Sequence, residues 1–174
     1  VLVIHPIHGA YMKYKKNQGT LGEIEGKFFE LSRLLGYNQV LYHYGDENMM
    51  KSHASVENGK IKVGNCTYDA VIVPFTYTLD KSTAELIKKL IADGGKVWCF
   101  GHPDCIDGEK ADMTWLHDTC TKEDIFALRD AVITLENGQN APQIRKMTRV
   151  TDEGKLIYIT NVTGETLDSV HVKL

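Results

Sequence analysis

The chain has no apolar run approaching the ~20 residues that a helix needs to cross a bilayer, so a helical membrane span is excluded. It has no long basic run either. With a net charge of -3 over 174 residues and an isoelectric point near 6.2, counterion release on a nucleic acid would be weak. The short stretch Lys13, Lys15 and Lys16 reads as a solvated loop. Cysteine is scarce: Cys66, Cys99, Cys105 and Cys120 are too few for a disulfide scaffold in a chain this long. Reduced thiols are the simpler expectation, which leans towards a cytoplasmic setting without deciding the compartment. No secretory leader is visible. The chain opens at Val1 inside an apolar run, and that start reads as a boundary within a longer protein.

Cofactor loops are missing as well. Gly19-Thr20-Leu21-Gly22 is neither a dinucleotide fingerprint nor a P-loop. His5-Pro6-Ile7-His8-Gly9 lacks the small and hydroxyl residues of a flavin loop. The setting Val97-Trp98-Cys99-Phe100-Gly101 has no glycine before the cysteine and no helix after it, so it is not a nucleophile elbow. Pro103-Asp104-Cys105-Ile106 does not match that pattern either. No cofactor is expected. Asn65-Cys66-Thr67 and Asn161-Val162-Thr163 are formal glycosylation sequons, a triplet common enough by chance to carry no function. Internal repeats and low-complexity segments are absent.

What the chain does contain is an alternation of buried strands and amphipathic helices. Hydrophobic residues make up 43% of it, enough for one sizeable core. Val1–Ile4, Val40–Tyr44, Ala70–Val73 and Val97–Phe100 are short apolar runs, as strands buried on both faces read. Three of them stop at or near a proline: Pro6, Pro74 and Pro103. A polar loop is expected from Gly9 to Thr20. Ile24, Phe28, Leu31, Leu34 and Leu35 then recur at helical spacing, with Gly36 closing that helix and Gly22 and Gly26 implying close packing near its start. A short helix and an Asn58-Gly59 turn follow the second strand, and Lys60–Val63 reads as an extra strand. Asp80 or Ser82 caps a helix carrying Leu86, Ile87, Leu90 and Ile91, ended by Gly94-Gly95. Such βαβ units predict a parallel sheet of strand order 2-1-3-4, with a fifth strand near Ala131–Leu135 preceded by a helix from Lys122 to Arg129. The fold class is α/β, a doubly wound and mostly parallel sheet. Beyond Pro142 the rhythm changes to alternation and turns, at Asp152-Glu153-Gly154 and Thr163-Gly164-Glu165, which reads as an antiparallel meander. Residues 1–142 are thus expected to form the α/β domain, and 143–174 to open a β-sandwich.

Several pieces in this order carry a family resemblance: Val1-Leu2-Val3-Ile4-His5-Pro6, Tyr44-Gly45-Asp46-Glu47, Val63-Gly64, Tyr68-Asp69-Ala70-Val71-Ile72-Val73-Pro74, Gly94-Gly95-Lys96-Val97, and the tail Lys155–Thr163. Together they resemble the flavodoxin-like middle domain of bacterial multidomain glycoside hydrolases. The trimerisation domain of the family 42 β-galactosidases is one such domain, and the broader fold is shared with class I glutamine amidotransferase-like domains. The resemblance implies a carbohydrate-active parent whose catalytic carboxylates sit on a separate (β/α)8 barrel. This chain would then be an accessory domain that packs, oligomerises or shapes a neighbouring active site. The implied partners are the barrel, a β-sandwich and, in a homo-oligomer, further copies of the chain. No nucleic acid and no membrane partner is implied.

Parallel sheets bind ligands at the carboxyl ends of their strands. Those ends carry His5 and His8, Asp46 and Glu47, Phe75 and Tyr77, and His102 and Asp104, an edge suited to a sugar or to a partner domain. The plainer reading, strand-end residues that bond to their own loops, carries more weight. Asp46-Glu47 cannot serve alone as a glycosidase pair, because adjacent residues on a strand point opposite ways; Asp46 is better read as a helix cap. Cys99, His102, Cys105, His117 and Cys120 are residue types that zinc accepts, but their spacing is imperfect and Cys99 lies on a buried strand, so no metal is assigned. The alternative to an accessory domain is a small amidotransferase-like or hydrolase-like enzyme using this edge. It would require a cysteine or serine with a base within reach.

Overall fold

A computed structural model describes residues 1–14, 20–167 and 169–174. Lys15, Lys16 and Gly19 lie outside the described residues. Along the chain run β1 (Leu2–Ile4), α1 (Ile7–Lys13), α2 (Thr20–Tyr37), β2 (His43–Gly45), α3 (Glu47–His53), β3 (Ala54–Glu57), β4 (Lys60–Val63), β5 (Cys66–Tyr68), β6 (Ala70–Val73) and β7 (Thr78–Leu79). Then come α4 (Lys81–Ala92), β8 (Lys96–Cys99), β9 (Cys105–Ile106), β10 (Glu109–Lys110), α5 (Lys122–Ala127), β11 (Val132–Leu135), β12 (Ile144–Thr151), β13 (Gly154–Asn161) and β14 (Val170–Lys173).

The fold is mixed α/β. Its centre is a four-stranded sheet in the order β2-β1-β6-β8, parallel at every pairing. Every residue of β1 and β6 is buried, which is why these segments are unbroken apolar runs. On one face Val3 and Ile72 pack with Leu31 and Leu35 of α2 and Ile125 of α5. On the other, Leu2, Ile4, Val71 and Val73 pack with Met50 of α3 and Ile87 and Leu90 of α4. The small antiparallel sheet β3-β4-β5 adds Val56 and Ile61 to that second face.

Local chemistry explains the turns. Asn58 and Gly59 both have positive φ, 53° and 68°, the two-residue hairpin turn that joins β3 to β4. Asp107-Gly108 repeats the device between β9 and β10. Thr121 starts α5 with a reciprocal capping box to Asp124.

Several expectations need correction. The stretch from Gly9 is not all loop, because α1 covers Ile7–Lys13. Gly22 and Gly26 are exposed, and a Cβ at either would meet nothing within 4 Å, so they mark no close packing. α2 runs one residue past Gly36, and the left-handed residue after it is Gln39, at φ 58°. The strand expected from Val40 begins at His43; Val40 is instead tied back to the helix end through its N–H to the Leu35 carbonyl.

The fifth strand exists but lies outside the parallel sheet. β11 pairs antiparallel with β14, and its other edge meets the backbone of Gln139–Ala141 together with one side chain. The buried Gln39 amide donates to the Ile133 carbonyl and accepts from the Ile133 N–H, each at 2.8 Å. The glutamine thereby adds to the bonding of that edge and holds β11 against the end of α2. Beyond Pro142, β12 and β13 form the expected hairpin, but β14 returns to β11 rather than extending a meander. Ile133, Ala141 and Ile144 form a small separate core there.

Candidate functional site

The parallel direction of the sheet puts the residues after Ile4, Gly45, Val73 and Cys99 at one edge. Gly45 allows the tight passage from β2 into α3: a Cβ there would fall 2.8 Å from Met50 Sδ and 3.1 Å from Leu2. Asp46 then caps α3, accepting from the Met49 N–H at 3.0 Å. That is the plain role expected for it, and it turns Glu47 inward.

Glu47 is 1% exposed. Its Oε2 accepts from the Asp80 N–H at 2.8 Å, and its Oε1 lies 3.8 Å from His8 Nδ1. The same Nδ1 is 2.8 Å from Asp80 Oδ1, and His8 Nε2 is 3.3 Å from the Asn48 amide nitrogen. Burial pushes the Glu47 carboxyl above the usual carboxylate range, although the Asp80 N–H and the nearby Thr83 hydroxyl favour its charged form. Among the described residues, His8, Glu47 and Asp80 are the one group of three or more histidine, cysteine or acidic side chains whose ligand atoms all lie within 4.8 Å of one another. The geometry therefore joins two of the expected edge residues, His8 and Glu47. It adds Asp80, which reads in sequence only as a helix cap. Asp80 does occupy the N-cap position of α4, yet its side chain makes no capping bond. The clue available beforehand was the presence of Ser82 as a second capping candidate, which left Asp80 free for other work.

The remaining edge residues fall into separate groups. His5 packs edge-on against Phe28, ring centres 5.5 Å apart, and against Tyr44 at 5.9 Å. Beside it lies a cleft of about 300 Å³ between β1, α1 and α2, lined by His5, Pro6, Ala10, Ile24 and Phe28. Phe75 and Tyr77 form a T-shaped contact at 5.5 Å, and Tyr77 donates its hydroxyl to Glu23 at 2.6 Å. Lys13 sits over the Tyr77 ring at 4.5 Å. Asp104 is bound by Lys110 and by the Cys105 thiol, and the Lys110 hydrogen bond holds its carboxyl below the usual range. His102 is exposed.

The cysteine–histidine set is not drawn together in this way. Burial, followed by the Asp118 charge, pushes the Cys99 thiol up to about 12. Burial and Asp124 raise Cys120 to about 11. Cys105 is raised as well, by burial and by Asp104, and the His117 ring bonds to the Trp115 carbonyl at 2.9 Å. Thiols held in the protonated form are poor nucleophiles.

No family model matches the chain, and no curated protein matches it. A solved structure does: the apo exo-carrageenase GH42 from Bacteroides ovatus, with a TM-score of 0.58 at 15% identity. The alignment covers 92% of this chain and 22% of that one. The likeness is one of fold, between nearly all of this chain and about a fifth of a larger protein.

Proposed function

We propose that this chain is a non-catalytic accessory domain of a multidomain glycoside hydrolase of the family 42 type, serving domain packing, oligomerisation or the shaping of a neighbouring active site. The carrying observation is the lopsided coverage: 92% of this chain aligns with 22% of a carbohydrate-active enzyme. In this reading residues 1–142 are a flavodoxin-like, doubly wound unit, and 143–174 open the sandwich that follows. The hairpin supports that division. Met147, Leu156 and Tyr158 lie on one face of β12–β13, at 56%, 65% and 64% exposure, as a sheet face does when a second layer belongs on it. The partners are then the catalytic barrel, the sandwich and further copies of the chain.

The competing enzyme reading requires an activated nucleophile. The high thiol pKa values at Cys99 and Cys105 speak against it. Two measurements test the proposal. The isolated chain, assayed against aryl glycosides and amide substrates, is expected to turn over none of them. Sequencing the flanking gene is expected to reveal a (β/α)8 barrel in the same reading frame. Turnover by the isolated chain that is lost on Cys99→Ala or Cys105→Ala would establish the rival, and a gene without a barrel would remove the proposal.

A further inference from the structure

We infer that His8, Glu47 and Asp80 form a binding site for a first-row divalent metal ion of the Zn2+ class, pinning α1, α3 and the start of α4 together at the carboxyl edge of the sheet. One imidazole and two carboxylates are a donor set that such ions accept. The three ligand atoms, all within 4.8 Å of one another, come from three separate segments. Each is already oriented. Glu47 Oε2 is engaged by the Asp80 N–H, which leaves Oε1 turned towards His8. Asp80 forgoes capping its own helix and points its carboxylate at the imidazole instead. A metal on Nδ1 requires the His8 proton on Nε2. There the Asn48 amide, 3.3 Å away, can turn its oxygen to accept it, the outer-shell support that metal-bound histidines commonly have.

Two further observations favour a cation over a simple ion triad. The Thr83 hydroxyl is fully buried beside Glu47 and favours the charged form of that carboxylate, the form a cation requires. The burial of one carboxylate is the second. Glu47, at 1% exposure, is the carboxylate removed from water, and a cation held beside it would favour its charged form. A divalent ion with neutral His8 makes the group neutral. Glu47 closes the buried side, while His8 and Asp80 keep 22% and 23% of their side-chain surface, which leaves room for a water to complete the coordination.

The test is calorimetric titration of the chelator-treated chain with Zn2+, in a Cys66→Ser background that silences the exposed thiol. Saturation at one ion per chain is expected. Asp80→Asn and His8→Asn should each weaken it at least tenfold, and asparagine at position 80 remains a good helix cap. The thermal midpoint should rise with Zn2+ in the parent and not in the variants. Should one variant fail to fold, the other carries the comparison, and the spectrum of the Co2+-loaded parent reads the ligands directly. Absorption without a thiolate charge-transfer band supports the site; a strong thiolate band places the ion at a cysteine and overturns it. Absence of saturable binding, or an affinity in both variants equal to the parent's, also overturns it and leaves the His8–Asp80 contact as a structural hydrogen bond.

Discussion

The central sheet and the β12–β13 hairpin are built from similar residues and end up in opposite surroundings. Val71, Ile72 and Val73 are each 0% exposed between two layers, whereas Val150 and Leu156 of the hairpin stand 75% and 65% in solvent. Paired positions of an antiparallel ladder share a face. The pairs Ile144–Asn161, Lys146–Ile159 and Thr148–Ile157 form one side of the hairpin, and Met147–Tyr158 and Arg149–Leu156 the other. The first side meets the rest of the molecule through Ile144 in its small core and the nearly buried Lys146, which ion-pairs with Asp130; on the other, Arg145 lies over the Tyr37 ring at 5.1 Å while Met147, Leu156 and Tyr158 stand in solvent. Apolar content alone therefore does not decide burial; the number of layers available to each face does.

The difference should be plainest when a methyl-rich side chain is cut back. Ile72→Ala leaves a cavity on a strand covered on both faces and should cost about 2–5 kcal/mol, read as a shift in the urea midpoint with an unchanged m-value. A loss below about 1 kcal/mol would show that the sheet collapses around the gap, and the contrast with the hairpin would weaken.

The next effect concerns the tie between the two regions. Lys146 is 3% exposed and Asp130 25%, so Asp130→Ala strands a nearly buried ammonium. The expected cost is about 1–3 kcal/mol, concentrated in faster amide exchange along β12 and β13 with β1 and β6 unchanged. The pair also carries a pH signature. Burial alone would raise the Asp130 carboxyl, but hydrogen bonds from Lys146 and Thr148 outweigh it and hold the pKa below its ordinary 3.8. A carboxylate depressed in the folded state stabilises fully above its unfolded pKa and loses that contribution as the pH falls through the folded value. The hairpin should therefore loosen below about pH 4 in the parent, and Asp130→Asn should flatten that dependence. Exchange that quickens equally in β1 and β6 would mean that the two regions unfold as one.

The parts legible in the sequence were those fixed by short-range chemistry. The runs at Val1–Ile4 and Ala70–Val73 gave the inner strands because a strand buried on both faces has no polar side to show. Asn58-Gly59 gave its turn because few other dipeptides take positive φ twice. Partnership over distance was not legible. Nothing local to Gln39 announces that its amide bonds to a strand edge 94 positions away at Ile133. Nor does anything near Val170 show that it returns to Leu135 instead of the adjacent hairpin. The candidate site divides in the same way. Asp46 behaved as its local pattern said, His8 and Glu47 lie close together as strand-end neighbours, and Asp80 was hidden because its contact is with a histidine 72 positions away.

The smallest effect is expected where the hairpin faces solvent, and it bears most directly on the proposed accessory role. Tyr158→Ser removes an apolar ring that is 64% exposed, so the isolated chain should change in stability by no more than about 0.5 kcal/mol. In a longer protein whose sandwich lies over this face, the same substitution would strip a contact from a domain interface, and the cost should rise to roughly 1 kcal/mol or more. Measuring both backgrounds separates a face that awaits a second layer from one that is simply tolerated in water. Equal, near-zero changes in the two would assign Met147, Leu156 and Tyr158 to ordinary exposed apolar surface, of which folded proteins carry a good deal. A penalty in the isolated chain that grows with protein concentration would identify a second copy as the missing layer. A penalty confined to the longer protein would identify its own sandwich.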